Sequence, residues 1–329
     1  MSKYLFYPGC SLQRNARAYL DSTMAIRDDI QIVLEEVQDW NCCGATEYKS
    51  VYRVPSHALV GRNLALAANQ KNGADTLVAS CSACYLNLAK TESHLRHSPK
   101  LKEQVNDALS AGGLEYEPGT LEIRHLLDII FNDVGLDVIE GKVVRPLTGL
   151  RIAPYYGCMI VRPDLDNRYG NAEYPTAMDD LMKVLGAEIV YFPQKTHCCS
   201  GHMTQITPDV AYGLIHNLIR AADQYNADLM VTLCPMCQLN LDVYQGDMNR
   251  HFKTDFHMPV LYFTQLMGLA FGYDPEELGI GKEFVDAHDA LAKIGVEVPV
   301  ADEQAKKPSR RRKKQQGLPM PKMPEEKTS

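Results

Sequence analysis

Four short apolar runs set the frame of this chain. Residues 5–7, 76–80, 152–156 and 229–233 are compact stretches of aliphatic and aromatic side chains. Unbroken apolar runs of this length suit strands of a parallel sheet covered on both faces. Longer segments lie between them. Residues 18–37 carry apolar positions near i, i+3, i+4 spacing, which predicts one helix, and residues 174–185 predict another. Residues 57–70 and 210–225 also read as helices, each followed by a Gly or Asn that suits a C-cap. Strands alternating with helices predict an α/β fold with a small, mainly parallel sheet in each half. Ligands of such sheets collect beyond the carboxyl ends of the strands.

Ten cysteines sit on this frame: Cys10, Cys42, Cys43, Cys81, Cys84, Cys158, Cys198, Cys199, Cys234 and Cys237. The first five are spaced Cys-x31-Cys-Cys-x37-Cys-x2-Cys, and the second five Cys-x39-Cys-Cys-x34-Cys-x2-Cys. One pattern therefore recurs at offsets of 148 to 156 residues. The flanks recur with it. Residues 74–84 parallel 227–237, Phe6-Tyr-Pro-Gly-Cys10 parallels Tyr155-Tyr-Gly-Cys158, and residues 125–131 match 264–271 in apolar character. Two homologous repeats are expected, an N-terminal one over 1–146 and a C-terminal one over 147–297, joined near residues 141–149, which lack helical periodicity. Cys10, Cys81, Cys84, Cys158, Cys234 and Cys237 fall at predicted strand ends, so each repeat is expected to gather its five thiols at one rim.

Gathered thiols admit three chemistries. A disulfide framework belongs to small secreted scaffolds, and the opening Met1-Ser-Lys-Tyr-Leu-Phe-Tyr-Pro-Gly-Cys10 lacks a signal peptide's apolar region and cleavage site. A structural zinc site explains a Cys-x2-Cys and stays open as an alternative. Such sites usually pair two hairpins, however, and adjacent cysteines can hardly both bind one ion tetrahedrally. A vicinal pair suits a cluster of several irons, or a bridging thiolate, so iron–sulfur ligation is favoured. The ferredoxin run Cys-x2-Cys-x2-Cys-x3-Cys-Pro is absent, which argues against an ordinary ferredoxin domain.

Cys10, Cys42-Cys43-Gly44 and Cys81-x2-Cys84, with their repeat, resemble the twin CCG-motif domains of the B subunit of heterodisulfide reductase. Tyr155-Tyr-Gly-Cys158, Arg162-Pro163, Cys234-Pro-Met-Cys237 and Phe284-Val-Asp286 are similar to that family too, and the resemblance spans residues 3–297. It implies two non-cubane [4Fe-4S] clusters, each held by the five cysteines of one repeat. It also implies a substrate disulfide clamped between the clusters and split as each passes one electron. A disulfide takes two electrons, so the count agrees. The implied partners are a ferredoxin-like C subunit and a FAD-containing A subunit, since this chain carries no G-x-G-x-x-G of its own. A methanogen's coenzyme M–coenzyme B heterodisulfide is one implied substrate. A lipoamide or other carrier thiol of bacterial sulfur oxidation is another, with the reaction then running as an oxidation. An electron-relay subunit of a fumarate reductase-like or quinone-linked complex, without its own substrate, is the rival reading. One departure stands out: the second repeat reads Cys198-Cys199-Ser200-Gly201, with Ser200 before the glycine. That shift makes the second cluster the less firmly expected.

Weaker signals surround the pairs. His197 and His202 flank the second pair and are candidates for donating protons or binding an anionic substrate, against an ordinary surface or capping role. Arg162 and Arg168 are candidates for a substrate carboxylate or phosphate, against plain solvation. His57 and His216 are expected on the polar faces of helices, Trp40 in core packing, and Pro8 and Pro235 in turns beside ligands.

Composition changes the picture only at the end of the chain. The 329 residues are 45% hydrophobic and 23% charged, ordinary globular values. No apolar run approaches the roughly 20 residues that cross a bilayer, so a cytoplasmic protein without membrane insertion is expected. Residues 301–329 hold nine Lys/Arg against four acids, which leaves residues 1–300 at -12 out of a total of -7. An acidic body argues against nucleic acid as a partner. The basic, Pro-containing segment 298–329 is expected to be a disordered tail, with docking to an acidic partner as its one functional reading.

Overall fold

In the computed structural model, the described residues, 1–45, 48–70, 73–163 and 168–295, build two four-stranded sheets. The first comprises β1 (Ser2–Tyr7), β2 (Ile32–Glu36), β3 (Thr76–Ala79) and β4 (Glu122–His125), in the order β2-β1-β3-β4. The second comprises β5 (Arg151–Tyr155), β6 (Glu188–Ile189), β7 (Leu229–Thr232) and β8 (Val260–Tyr262), in the order β6-β5-β7-β8. Every pairing is parallel, and the two orders are the same permutation. The duplication read from the cysteines is thus a duplication of topology. The central strands explain their own sequences: β7 is buried throughout and β3 nearly so, as strands covered on both faces must be.

Two expectations need correction. The helix predicted over 18–37 covers only its first half: the helix Arg17–Ile26 is followed by β2. Beyond Asp28 and Asp29 the apolar spacing changes to period two. Ile30, Ile32 and Leu34 face the core while Val33 is exposed, and Gln31 turns the chain at φ 56°. The other three predicted helices appear as Arg53–Gln70, Ala177–Val184 and Pro208–Gln224. The second correction concerns register. Ala79 lies opposite His125 and Thr232 opposite Tyr262, so His125 corresponds to Tyr262, two residues before the match drawn from apolar character. The predicted tail, 298–329, lies outside the described residues.

The repeats pack on each other through helices rather than by joining their sheets. The helix Arg17–Ile26 of the first lies against Phe263–Phe271 of the second. Ser22 and Thr264 share a buried hydroxyl hydrogen bond of 2.7 Å, and Tyr19 stacks on Tyr262 with ring centroids 4.4 Å apart. The approach is close: a Cβ on Gly279 would sit 2.8 Å from that of Ala18. Arg168 ties the far side by pairing with Glu122 and Asp128 of the first repeat. No helix among the described residues is long and apolar enough to cross a membrane.

Candidate metal centre

Each repeat brings its cysteines together from three places in the fold. Cys10 follows β1, just inside the short helix Gly9–Leu12, and Cys158 follows β5 in a turn. Cys81 and Cys234 are the N-cap residues of the helices Ser82–His97 and Pro235–Asp242, reached from β3 and β7. Cys84 and Cys237 lie in the first turn of the same helices, one turn above their partners. The vicinal pairs, Cys42-Cys43 and Cys198-Cys199, sit on the loops after β2 and β6. All six cysteines expected at strand ends are found there.

The sulfur atoms form a string. Cys10 and Cys42 are 3.5 Å apart, Cys43 and Cys84 3.3 Å, and Cys199 and Cys237 3.5 Å. Cys158 contacts Cys198, and each Cys-x2-Cys closes on itself. Cys81 and Cys234 also touch, which links the two sets across the repeat boundary. The outer end of each set is open: Cys10, Cys42 and Cys198 are exposed and Cys158 partly so, while the other six are buried and all ten are free thiols. Among the described residues, no group of three or more His, Cys, Asp or Glu side chains is arranged to hold a metal ion.

Contacting thiols cannot all ionise alike, so one of each pair is favoured as thiolate. Contact with Cys10 and Cys43, together with the Gly44 N–H at 3.5 Å, holds Cys42 well below the usual thiol range, while the same contact pushes Cys10 up. The second repeat behaves alike: contact with Cys158 brings Cys198 down to about 6. Contacts with Cys237 and Cys81 lower Cys234, whose sulfur also lies at a helix N-terminus.

Two glycines make room for the sulfurs. Gly9 and Gly157 directly precede Cys10 and Cys158, at φ 73° and 70°. A Cβ there would stand 3.0 Å from the Cys84 sulfur and 2.9 Å from that of Cys237. Backbone passes this close to a thiol only where no side chain intervenes. Gly44 answers the question raised by the second pair. It stands at φ 62°, and in the second repeat the residue at the same step, Ser200, takes φ 87° itself, with Gly201 following at 56°. The loop keeps its left-handed turn, made by a serine.

Paired clamps hold the vicinal cysteines. The Tyr7 hydroxyl donates to the Asn41 carbonyl just before Cys42, and Tyr155 donates to the His197 carbonyl just before Cys198, both at 2.7 Å. On the other side, Asn87 donates to the Cys43 carbonyl and Asn240 to the Cys199 carbonyl, both at 3.0 Å. The sequence reading missed these asparagines. Their signal was present in the shared Cys-x2-Cys-x-Leu-Asn-Leu of 81–88 and 234–241. It missed His125 as well. Burial beside Cys234 pushes that imidazole down to about 4, so it is neutral, with Nδ1 accepting from the Leu127 N–H. Its Nε2 lies near the backbone of Ser80 and Leu233, the residues before Cys81 and Cys234, without a hydrogen bond of good geometry.

The auxiliary candidates lie around this frame. His197 is exposed, and its carbonyl rather than its ring serves the site. His202 begins the turn Met203–Ile206. Arg162 spends its guanidinium on Glu173 and on the carbonyl and hydroxyl of Thr196, bracing the second pair's loop. Arg168 is the inter-repeat ion pair described above. Trp40 packs edge-on against Tyr7 with centroids 5.4 Å apart. His57 is buried on the helix Arg53–Gln70, where a polar-face position was expected, because Thr91 and His94 supply hydrogen bonds inside. His216 is part-buried against Phe252.

Two copies of one parallel sheet, each presenting five thiols, define a twin-repeat cysteine-rich α/β protein. The chain belongs to the CCG cysteine-rich domain family, whose model matches residues 4–89 and 152–242, and within it to the kind that forms the B subunit of heterodisulfide reductase. It is 30% identical over 297 residues to the B subunit of the ferredoxin:CoB-CoM heterodisulfide reductase of Methanosarcina mazei, covering 89% of this chain and 97% of that one. It is 33% identical over 285 residues to the 8-methylmenaquinol:fumarate reductase membrane anchor subunit of Wolinella succinogenes, covering 87% and 98%. Among solved structures it resembles a hypothetical protein from Helicobacter pylori at TM-score 0.68 and 15% identity. That likeness shows the fold alone: it covers 87% of this chain, which spans about half (52%) of the other.

Proposed function

We propose that this chain is the thiol- and disulfide-converting subunit of a heterodisulfide reductase-like oxidoreductase, with an iron–sulfur cluster held by the five cysteines of each repeat. The observation that carries it is the meeting of the two thiol sets at Cys81 and Cys234. Two bound [4Fe-4S] clusters of the non-cubane kind would supply one electron each, matching the two-electron thiol–disulfide couple. The donor set fits such a group: soft thiolates in number beyond what one zinc ion takes, with Gly9 and Gly157 keeping side chains away from the sulfurs.

The chain's own residues do the rest. Tyr7, Asn87, Tyr155 and Asn240 fix the vicinal pairs. The buried Cys81–Cys234 contact keeps water from the inner end, while the exposed Cys10, Cys42 and Cys198 leave an approach from solvent. Electrons enter from partner subunits, a ferredoxin-like C subunit and a FAD-containing A subunit of a cytoplasmic complex, with the basic tail as a docking arm. The substrate is a disulfide or thiol, such as a carrier-bound thiol of sulfur oxidation.

One observation favours a second reading. The relative from W. succinogenes is named a subunit of a fumarate reductase, so this chain would be an electron relay without its own substrate. Anaerobic purification of the full chain with iron analysis and EPR tests both. About eight irons per chain is expected, and a zinc-only protein sinks both readings. A changed EPR signal on adding a disulfide or thiol marks the converting subunit, and an unchanged one marks the relay.

A further inference from the structure

A half-buried lysine marks the surface beside the first thiol set. Lys49, in the short helix Tyr48–Val51, buries its ammonium nitrogen with no hydrogen-bond partner among the described residues. An unpaired buried ammonium is expensive. Lys90, His57 and His94 interact with it electrostatically, and Arg53 and His97 act in turn on those histidines. His57 Nε2 lies 3.3 Å from His94 Nδ1, and His57 Nδ1 3.1 Å from the Thr91 hydroxyl. Among the described residues that act most strongly on Lys49, His57 and His94, none is a carboxylate, and the one acidic group is the Cys43 thiol. This is a cationic cluster on a body whose residues 1–300 carry a net -12.

Its position follows from one helix. Along Ser82–His97, Cys84, Asn87, Thr91 and His94 succeed one another in steps of three and four, which places them on one face. That face carries a thiol of the set, then the clamp on Cys43, then the hydroxyl and imidazole that meet His57. The cationic cluster is therefore the outward continuation of the thiol site. Burial and mutual repulsion push Lys49 down to about 8 and His57 to about 4, with His94 in the same direction. A bound anion would offset the repulsion and favour the charged form of each group. The arginines singled out from sequence are spent elsewhere, on Glu173, Glu122 and Asp128.

We propose that this cluster receives the oxyanion of the thiol or disulfide substrate, a phosphate, sulfonate or carboxylate, and so directs its sulfur toward Cys42 and Cys43. The substrate half of this inference rests on the proposed function, whereas anion binding does not.

Calorimetry on the anaerobically purified full chain tests it, with inorganic phosphate, 4′-phosphopantetheine and pantetheine as probes. Phosphate is expected to bind, and phosphopantetheine to bind more tightly than pantetheine. Lys49→Met and, at an exposed position that cannot unfold the core, Arg53→Glu should each weaken phosphate binding about tenfold, with iron content unchanged. Absence of phosphate binding, or equal affinity in wild type and Arg53→Glu, overturns the proposal. So does an acidic protein captured through Arg53 by a chain that ignores phosphate. Phosphate binding without preference for phosphopantetheine leaves an anion site but sinks the substrate assignment. Phosphate bound by a chain without iron sinks the function and spares the anion site, so the two failures are distinct.

Discussion

The two repeats secure the same cysteine pair from opposite sides. In the first, the hold is upstream: the Asn41 carbonyl accepts from both Tyr7 and Asn63, and the Asn63 side chain also accepts the Asn41 N–H at 2.9 Å. Downstream, Asn87 makes one bond to Cys43. In the second repeat the weight moves downstream. Asn240 is fully buried, and its amide reaches the carbonyls of Cys199 and Gly201 at 3.0 and 2.9 Å. An amide has two hydrogens, so these are its full bonds, and the Ser200 hydroxyl at 3.3 Å is a looser neighbour. The residue inserted ahead of the glycine thus does not loosen the second pair. It lengthens the loop, and an asparagine already present in both repeats takes a second carbonyl of it. The lesson is that a duplicated site keeps its chemistry while redistributing what holds it.

The largest effect should come where the repeats agree. Gly157→Ala places a methyl 2.9 Å from the Cys237 sulfur at a positive φ, and Gly9→Ala places one 3.0 Å from Cys84. The left-handed backbone alone costs about 1–2 kcal/mol, and displacing a packed thiol adds about 1–3 kcal/mol. Each variant should lose iron from its own repeat, about half of the total, with the thermal midpoint falling furthest for Gly157→Ala. Iron analysis with calorimetry checks this, and equal iron in variant and wild type would show that the sulfurs do not need the space.

The asparagines break the symmetry. Asn240→Ala strands two carbonyls and should cost about 2–3 kcal/mol, whereas Asn87→Ala removes one bond at a part-buried position and should cost about 1 kcal/mol. Asn63→Ala, at a fully buried position with two bonds to Asn41, should match Asn240 rather than Asn87. Denaturant unfolding of the three variants decides it. Equal losses for Asn87 and Asn240 would mean that the downstream hold is not concentrated in the second repeat.

Exchanging the turn residues should do less. Ser200→Gly relieves a positive φ of 87° but gives up a loose contact with Asn240, so stability should rise by about 0.5–1 kcal/mol. Gly44→Ser should cost about 1–2 kcal/mol, because its Cβ would meet a Leu59 methyl at 2.8 Å, although Leu59 is exposed enough to turn aside. A Ser200→Gly variant less stable than wild type would show that the serine hydroxyl, and not only its backbone, holds the loop.

The pattern of the cysteines was legible because one residue type recurs at a repeated spacing along the chain. Spacing and strand ends placed Cys10, Cys81, Cys84 and their counterparts without help from the structure. Residues that act through backbone carbonyls were not legible in this way. Asn63, Asn87 and Asn240 reveal their role only when the loop they hold is in place, and many polar residues would look the same in sequence. Residues 27–37 misled for a different reason. Apolar positions at 30, 32, 34 and 37 satisfy part of a helical template, while Val33 on the exposed side shows that period two governs. Lys49 was invisible because the burial of an ammonium without a hydrogen-bond partner among the described residues is not written in a sequence.

The smallest predicted difference is also the most specific. Tyr7 and Tyr155 make the same bond, a phenol hydroxyl 2.7 Å from the carbonyl before the vicinal pair. Removing one such hydroxyl from a buried ring ordinarily costs about 1 kcal/mol. In the first repeat, however, the Asn41 carbonyl keeps its bond from Asn63, while the His197 carbonyl has no second side-chain donor among the described residues. Tyr155→Phe should therefore cost about 1 kcal/mol and Tyr7→Phe about half as much, since the damage depends on what is left unsatisfied more than on what is removed. Combining each with its local asparagine variant makes the comparison sharper. Tyr7→Phe in an Asn63→Ala background should cost more than in wild type, because the carbonyl then loses both donors. Tyr155→Phe should cost the same with or without Asn63, which lies in the other repeat. A Tyr7→Phe cost that ignores Asn63 would mean that the upstream hold of the first repeat is not shared between the two side chains.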